Sequence, residues 1–134
     1  MPLTPLRNMI WDWPNSMVTR VIDGDSFEAQ LTRDIGFHGV VTFRQKLRLN
    51  RINSVPVKTA HGLEAKRFLE ELVKPNMTLV FIETIKPYKY GDEWMAEITL
   101  FDGRNVSDEM VNNAMAVYWD GTGKRPDQDP PVSL

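Results

Sequence analysis

Cysteine is absent from the 134 residues, which excludes disulfides and thiolate metal sites. Histidine is nearly absent too. His38 sits in a turn and His61 at a helix start; with no second histidine nearby and no spaced carboxylates, solvated surface is the favoured reading over metal ligation. No apolar run approaches the ~20 residues that a spanning helix needs. Met1-Pro2-Leu3-Thr4-Pro5-Leu6-Arg7-Asn8 lacks the continuous apolar stretch of a signal peptide, so no membrane contact and a cytoplasmic setting are expected. An excess of one charge is missing as well, since 16 Lys and Arg face 18 Asp and Glu for a net charge of −2. That argues against strong nonspecific duplex binding, which depends on neutralising several phosphates, and leaves room for a local basic patch.

What is present suits one small domain, because 42% of the residues are hydrophobic and 134 residues bury one core. Residues 1–16 hold three prolines and two tryptophans without helical or strand period. They read as an N-terminal arm, with Trp11 and Trp13 covering a core edge. From Met17 the period becomes two. Val18, Arg20 and Ile22 alternate with Met17, Thr19 and Val21, the turn Asp23-Gly24-Asp25 follows, and Phe27, Ala29 and Leu31 continue the pattern as a hairpin. A second turn over residues 34–39 leads to a third strand, 40–49, carrying Phe43, Leu47 and Leu49.

Residues 60–73 change to helical spacing, with Ala65, Phe68, Leu69, Leu72 and Val73 on one face and Pro75 as the stop. Residues 78–85 and 94–100 read as two more strands. Asn105 is an N-cap with Asp108 and Glu109 in the first turn of a second helix that buries Val106, Met110, Val111 and Ala114; Met110 and Met115 are core filler. Five strands with a helix between the third and fourth give an α+β fold, a five-stranded OB-fold β-barrel with two packed helices. The domain is expected over residues 17–119. Residues 120–134, rich in Gly and Pro, read as a flexible tail.

Four motifs occur in order: the turn Asp23-Gly24-Asp25-Ser26 between two apolar runs, Arg48-Leu49 on a strand, Gly62-x-Glu64-Ala65 opening a helix, and Lys89-Tyr90-Gly91. Together they resemble the staphylococcal nuclease (thermonuclease-like) family over residues 18–119. The resemblance implies the same barrel, and a site in which one calcium ion sits on carboxylates, two arginines hold the phosphate and a glutamate activates water. Asp25 matches a metal-ligating Asp, Asp23 a supporting one, and Asn53 stands where a second ligating Asp is usual. Arg48 matches the first phosphate-binding arginine, whose planar fork suits a phosphate.

Two parts of that machinery have no residue. The general-base position falls on Pro56 or Val57, neither of which accepts a proton, and Asp92 and Glu93 follow Lys89-Tyr90-Gly91 where the second arginine belongs. A negative charge there opposes the stabilisation that phosphoryl chemistry needs. The expectation is therefore a catalytically degenerate, nuclease-like binding protein with no cofactor beyond weak calcium at Asp23, Asp25 and Asn53. Its ligand would be a nucleotide or single-stranded nucleic acid held by Arg48, Lys89 and Tyr90, or by the barrel's outer face. Phage genomes often carry chains of this kind, so the resemblance also implies a phage origin.

Two other classes stay open: an inhibitor or adaptor that engages a protein partner through the barrel surface and terminal arms, and a calcium-dependent nuclease with a rebuilt site. Each motif also has a plain structural role. Asp and Gly suit a tight turn, and Arg48 and Asp25 satisfy each other if they pair inside the barrel. Tyr88, Tyr90 and Trp94, interleaved with Lys86 and Lys89, either stack bases or pack on the barrel rim.

Overall fold

Alternation of inward apolar and outward polar side chains builds the longest elements. In a computed structural model describing residues 10–54, 59–88 and 92–120, β2 (Ser26–Gly36) and β3 (Gly39–Leu49) form an antiparallel hairpin. Its ladder runs from Ser26 opposite Arg48 to Gly36 opposite Gly39. β1 (Trp11–Val21) lies beside β2, and β5 (Val80–Pro87) and β6 (Trp94–Thr99) complete a closed barrel in the order β1-β2-β3-β6-β5. Only the β3 and β6 pair is parallel, and α1 (Ala60–Val73) connects the third barrel strand to the fourth. This is the expected α+β OB-type barrel with two helices.

The barrel interior holds Val18, Phe27, Ala29, Leu31, Leu47, Ile82 and Ile98, all essentially inaccessible to solvent, and α1 adds Ala65, Leu69 and Val73 to the same core. Helix α1 has the limits its spacing predicts. The Thr59 hydroxyl accepts a hydrogen bond from the Gly62 amide at 2.8 Å to start it, and Lys74 in the left-handed region ends it one residue before Pro75. Asn105 caps α2 (Val106–Asn112) by accepting from the Asp108 amide at 3.0 Å.

Three sequence expectations are corrected. The first strand begins at Trp11 rather than Met17, so residues 11–16 belong to the barrel and not to an arm. Its period is broken because the buried positions run Trp13, Ser16, Val18, Val21, with three-residue steps where the register shifts between Trp13 and Ser16 and between Val18 and Arg20. Pro14 lies in the first shift, where no ladder amide is required. Ser16 substitutes side-chain bonds there, its hydroxyl donating to the Trp13 carbonyl at 3.0 Å and accepting from the Thr32 amide at 3.1 Å.

Second, Ala114 is exposed and lies beyond α2, at φ 62° in the left-handed region. It turns the chain back through the bond from the Met115 amide to the Met110 carbonyl. Third, that reversal creates a two-stranded sheet absent from the sequence reading, β4 (Ile52–Ser54) with β7 (Ala116–Tyr118). The tail expected from residue 120 onward falls almost wholly outside the described residues, as do residues 1–9 of the expected arm. No helix among the described residues is long and apolar enough to cross a membrane.

Gly24 shows why the β1–β2 turn is Asp-Gly-Asp. A Cβ there would lie 2.8 Å from the Ser54 Cβ and 2.9 Å from the Ala65 Cβ, atoms fixed by β4 and α1. Gly24→Ala is accordingly expected to destabilise the fold by roughly 2 kcal/mol through overpacking. Chemical denaturation of the two proteins checks this, and an unchanged midpoint would mean that the turn is not pressed against β4 and α1.

Candidate functional site

Strand alternation turns Arg48 away from Leu47 and Leu49, yet all three are buried, because β4 covers the outer side of β3 at this end. Arg48 is 4% exposed. Its Nη2 donates to Asn53 Oδ1 at 2.8 Å and lies 3.1 Å from Asp25 Oδ2. The guanidinium carbon stands 4.7 Å from the centre of the Tyr88 ring and 5.8 Å from that of Trp119. Trp119 is held there by its backbone amide, which donates a hydrogen bond to the Arg51 carbonyl at 2.7 Å. The Arg48 Nε proton is buried without a partner among the described residues, an unsatisfied donor in a group otherwise closed off by aromatic planes.

The acidic residues serve the same enclosure. Asp23 Oδ1 accepts from the amides of Asp25 and Ser26 at 3.0 and 2.9 Å, fixing the turn. Asp25 Oδ2 accepts from the Ser54 amide at 2.9 Å, so one carboxylate joins the β1–β2 turn, β3 and β4. Burial pushes the Asp25 carboxyl up to about 7, against the opposing pull of Arg48 and with a further push from Asp23. Glu93, half-buried near Ser26 and Arg48, is raised above its ordinary range mainly by burial. A carboxylate of the chain thus stands close to the arginine in the place where the sequence pattern lacks a second arginine.

The structure therefore brings Arg48, Asp25 and Asn53 together, with Asp23 supporting the turn. Lys89, Tyr90, Pro56 and Val57 lie outside the described residues. Calcium requires about six to eight oxygen ligands. The Asn53 oxygen and Asp25 Oδ2 are turned to protein donors, as is Oδ1 of Asp23, and no group of three or more His, Asp or Glu among the described residues is arranged for a metal. The residues present do not fit that ion. His61, read as solvated, is instead half-buried, its Nε2 2.9 Å from the Ala114 carbonyl.

A different site opens from the barrel itself. Inward-facing residues continue along the strands past the sealed interior: Leu31, Arg33 and Ile35 on β2, Val41, Phe43 and Gln45 on β3, Trp11 and Trp13 on β1, with Thr84 and Trp94 opposite. The register sets Leu31 opposite Phe43 and Arg33 opposite Val41, so the groove, about 710 Å³, is the open mouth of the barrel. Trp13 forms its floor: it is buried, donates from Nε1 to the Thr84 hydroxyl at 3.0 Å, and meets Phe43 edge-on at 5.1 Å. Trp11 lies tilted 6.4 Å from Trp13, and Arg33 stacks 5.1 Å above the Trp11 ring.

Sequence reasoning placed Trp11, Trp13 and Trp94 at a core edge or rim but did not join them, and it missed Arg33, Phe43 and Gln45. A signal was available. In the alternating series Leu31-Arg33-Ile35 and Val41-Phe43-Gln45, a polar side chain at an inward position marks where the interior meets water. On the outer face, the register aligns Asp12, Glu83 and Glu97 in one acidic row, where Arg51 offsets Glu97 at 2.7 Å. No protein-family model and no curated protein matches the sequence.

Proposed function

We propose that this chain is a non-catalytic, nuclease-like OB barrel that binds unpaired nucleic-acid bases in its aromatic mouth. The carrying observation is the convergence of Trp11, Trp13 and Trp94, three of the four tryptophans, with Phe43 around one open groove. Bases stack on such side chains whatever their identity, each contributing about 1–3 kcal/mol. Arg33 supplies a cation for a phosphate, and Gln45 Oε1 and Asp34 Oδ2 offer acceptors to base edges, the Gln45 nitrogen being bonded to backbone carbonyls. The enclosure of Arg48 supports the loss of catalysis, because its Nη2 already faces Asp25 and Asn53 and two aromatic rings restrict approach. The phage origin proposed with this function rests on the family resemblance, and the cytoplasmic setting is proposed from the sequence.

The test is a titration with single-stranded oligonucleotides about ten residues long, followed by tryptophan fluorescence. Quenching is expected, with Phe43→Ala and Trp94→Ala each weakening binding about tenfold, the equivalent of ~1.4 kcal/mol. The salt dependence should be shallow, because the groove has Arg33 as its cation. No cleavage of plasmid or single-stranded DNA is expected with calcium. Equal binding by wild type and both groove variants would remove the proposal, and calcium-dependent cleavage that vanishes in Asp25→Asn would restore the enzyme.

A further inference from the structure

The β2–β3 hairpin reaches beyond the barrel. β1 pairs with β2 only as far as Gln30, and β6 pairs with β3 only at Leu47, Leu49 and the Arg48 between them. Residues 39–46 of β3 therefore have no ladder partner among the described residues on the side away from β2. The Gln45 side chain, bonded to the Asp92 carbonyl at 2.9 Å, covers the inner end of that edge. The outer end, from Gly39 to Arg44, has no strand against it among the described residues. A free edge of this kind is a template for another strand, and chains usually guard it with charge, proline or a bulge. Val40, Val41, Thr42 and Phe43 supply no such guard; the first charge is Arg44.

The same hairpin exposes apolar surface where a monomer gains nothing from it. Ile35, Phe37, Val40, Val41 and Phe43 are exposed by 57, 101, 61, 36 and 42%. On ordinary side-chain sizes this is on the order of 500 Å² over the two faces and tip of the hairpin, as much as the largest, often functional, patch of a single chain. The tip is also strained. Phe37 and His38 both hold positive φ, 52° and 63°, a conformation that a two-residue hairpin turn normally gives to Asn-Gly. Such strain at a bulky residue calls for an explanation beyond the turn, and here it holds a phenyl ring fully in solvent.

We infer that a second copy of this chain pairs with the first along β3, edge to edge and antiparallel, about a two-fold axis at Thr42. Charge admits a second copy here and confines the axis to the uncharged run, in which Thr42 lies between Val41 and Phe43. Centring on Thr42 places Val41 opposite Phe43 of the other copy and Val40 opposite Arg44, so every apolar side chain meets an uncharged one or an aliphatic stem and no like charges face each other. A centre at Arg44, Gln45 or Lys46 would set cation against cation. An isologous pairing of this type closes after two copies, consuming the edge instead of propagating it. This exposed surface, Phe37 included, is below the ~800 Å² per partner of a standard interface and suits a weak, micromolar pairing. The pairing shares Ile35, Val41 and Phe43 with the groove lining, so it is tested without any groove ligand present.

Sedimentation equilibrium on the full chain, from about 1 to 200 µM so as to bracket micromolar affinity, tests it without any ligand. The expected mass rises towards twice 15.4 kDa. V41E and F43K should each remain monomeric over that range, and an equimolar mixture should recover the doubled mass, because V41E of one copy faces F43K of the other. That recovery separates loss of the interface from loss of the fold, which circular dichroism of each variant checks directly. Monomeric wild type throughout, dimeric single variants, or a mixture that stays monomeric would each overturn the pairing. A wild type that gains mass only with a foreign peptide or an oligonucleotide would overturn it too, assigning the edge to that occupant.

Discussion

Replacing Arg48 by Met is expected to destabilise the fold by about 3–5 kcal/mol near pH 8, the usual result of removing one partner of a buried ion pair. Both side chains are about 5% exposed, so little water reaches the charge left behind. The methionine fills much of the space between Tyr88 and Trp119 but offers nothing to Asp25 or to the Asn53 oxygen. The loss should shrink at low pH. The Asp25 carboxyl in the folded wild type is already raised above its ordinary value of 3.8 by burial, with Arg48 pulling the other way; without Arg48 it rises further.

A carboxyl whose folded pKa exceeds its unfolded one contributes stability fully present below the unfolded value and lost as pH rises through the folded value. Between about pH 5 and 8 the wild type should therefore lose stability, and Arg48→Met should lose more. Glu93 and Glu83 are also raised by burial and add to the wild-type slope. Asp25→Asn, alone and combined with Arg48→Met, isolates the share that belongs to the pair. Urea denaturation at pH 5.5 and 8.0 decides the matter: an Arg48→Met penalty identical at both values would mean that Asp25 does not titrate against Arg48.

Local chemistry made part of this molecule legible in its sequence. The α1 limits follow from apolar spacing, a Thr cap and a following proline. The β2–β3 hairpin follows from the alternation of Phe27, Ala29 and Leu31 with polar residues, and the approach of Arg48 to Asp25 from placing one charge on a covered strand face beside an acidic turn. Illegible were features created by chain-distant geometry. Residues 11–16 form a strand although Pro14 and two register shifts erase its period, because β5 supplies the partner some seventy residues away, as in Trp11 opposite Thr84. Ala114 takes a left-handed turn position that glycine usually marks, which hid both the helix end and β7. The groove joins residues from five strands, so its parts were visible singly and its existence was not.

Trp13 connects the legible core with the groove, and Trp13→Ala should have the second large effect, a loss of about 3–5 kcal/mol. The ring is buried between the sealed interior and the open mouth, touching Phe43 by its edge and Thr84 through Nε1. Removing it leaves a cavity that adjoins solvent, so water can enter, which places the penalty towards the lower end of that range; the Thr84 hydroxyl can then bond to that water. Trp13→Phe separates packing from the hydrogen bond, keeping most of the ring while leaving Thr84 unpaired behind it, for an expected loss near 1–2 kcal/mol. Adding Thr84→Val to Trp13→Phe should recover part of that loss, since both ends of the lost bond are then apolar. Thermal and urea denaturation of the three proteins provide the measure. A Trp13→Ala protein as stable as wild type would show that the ring rests on the surface and that the mouth has no floor.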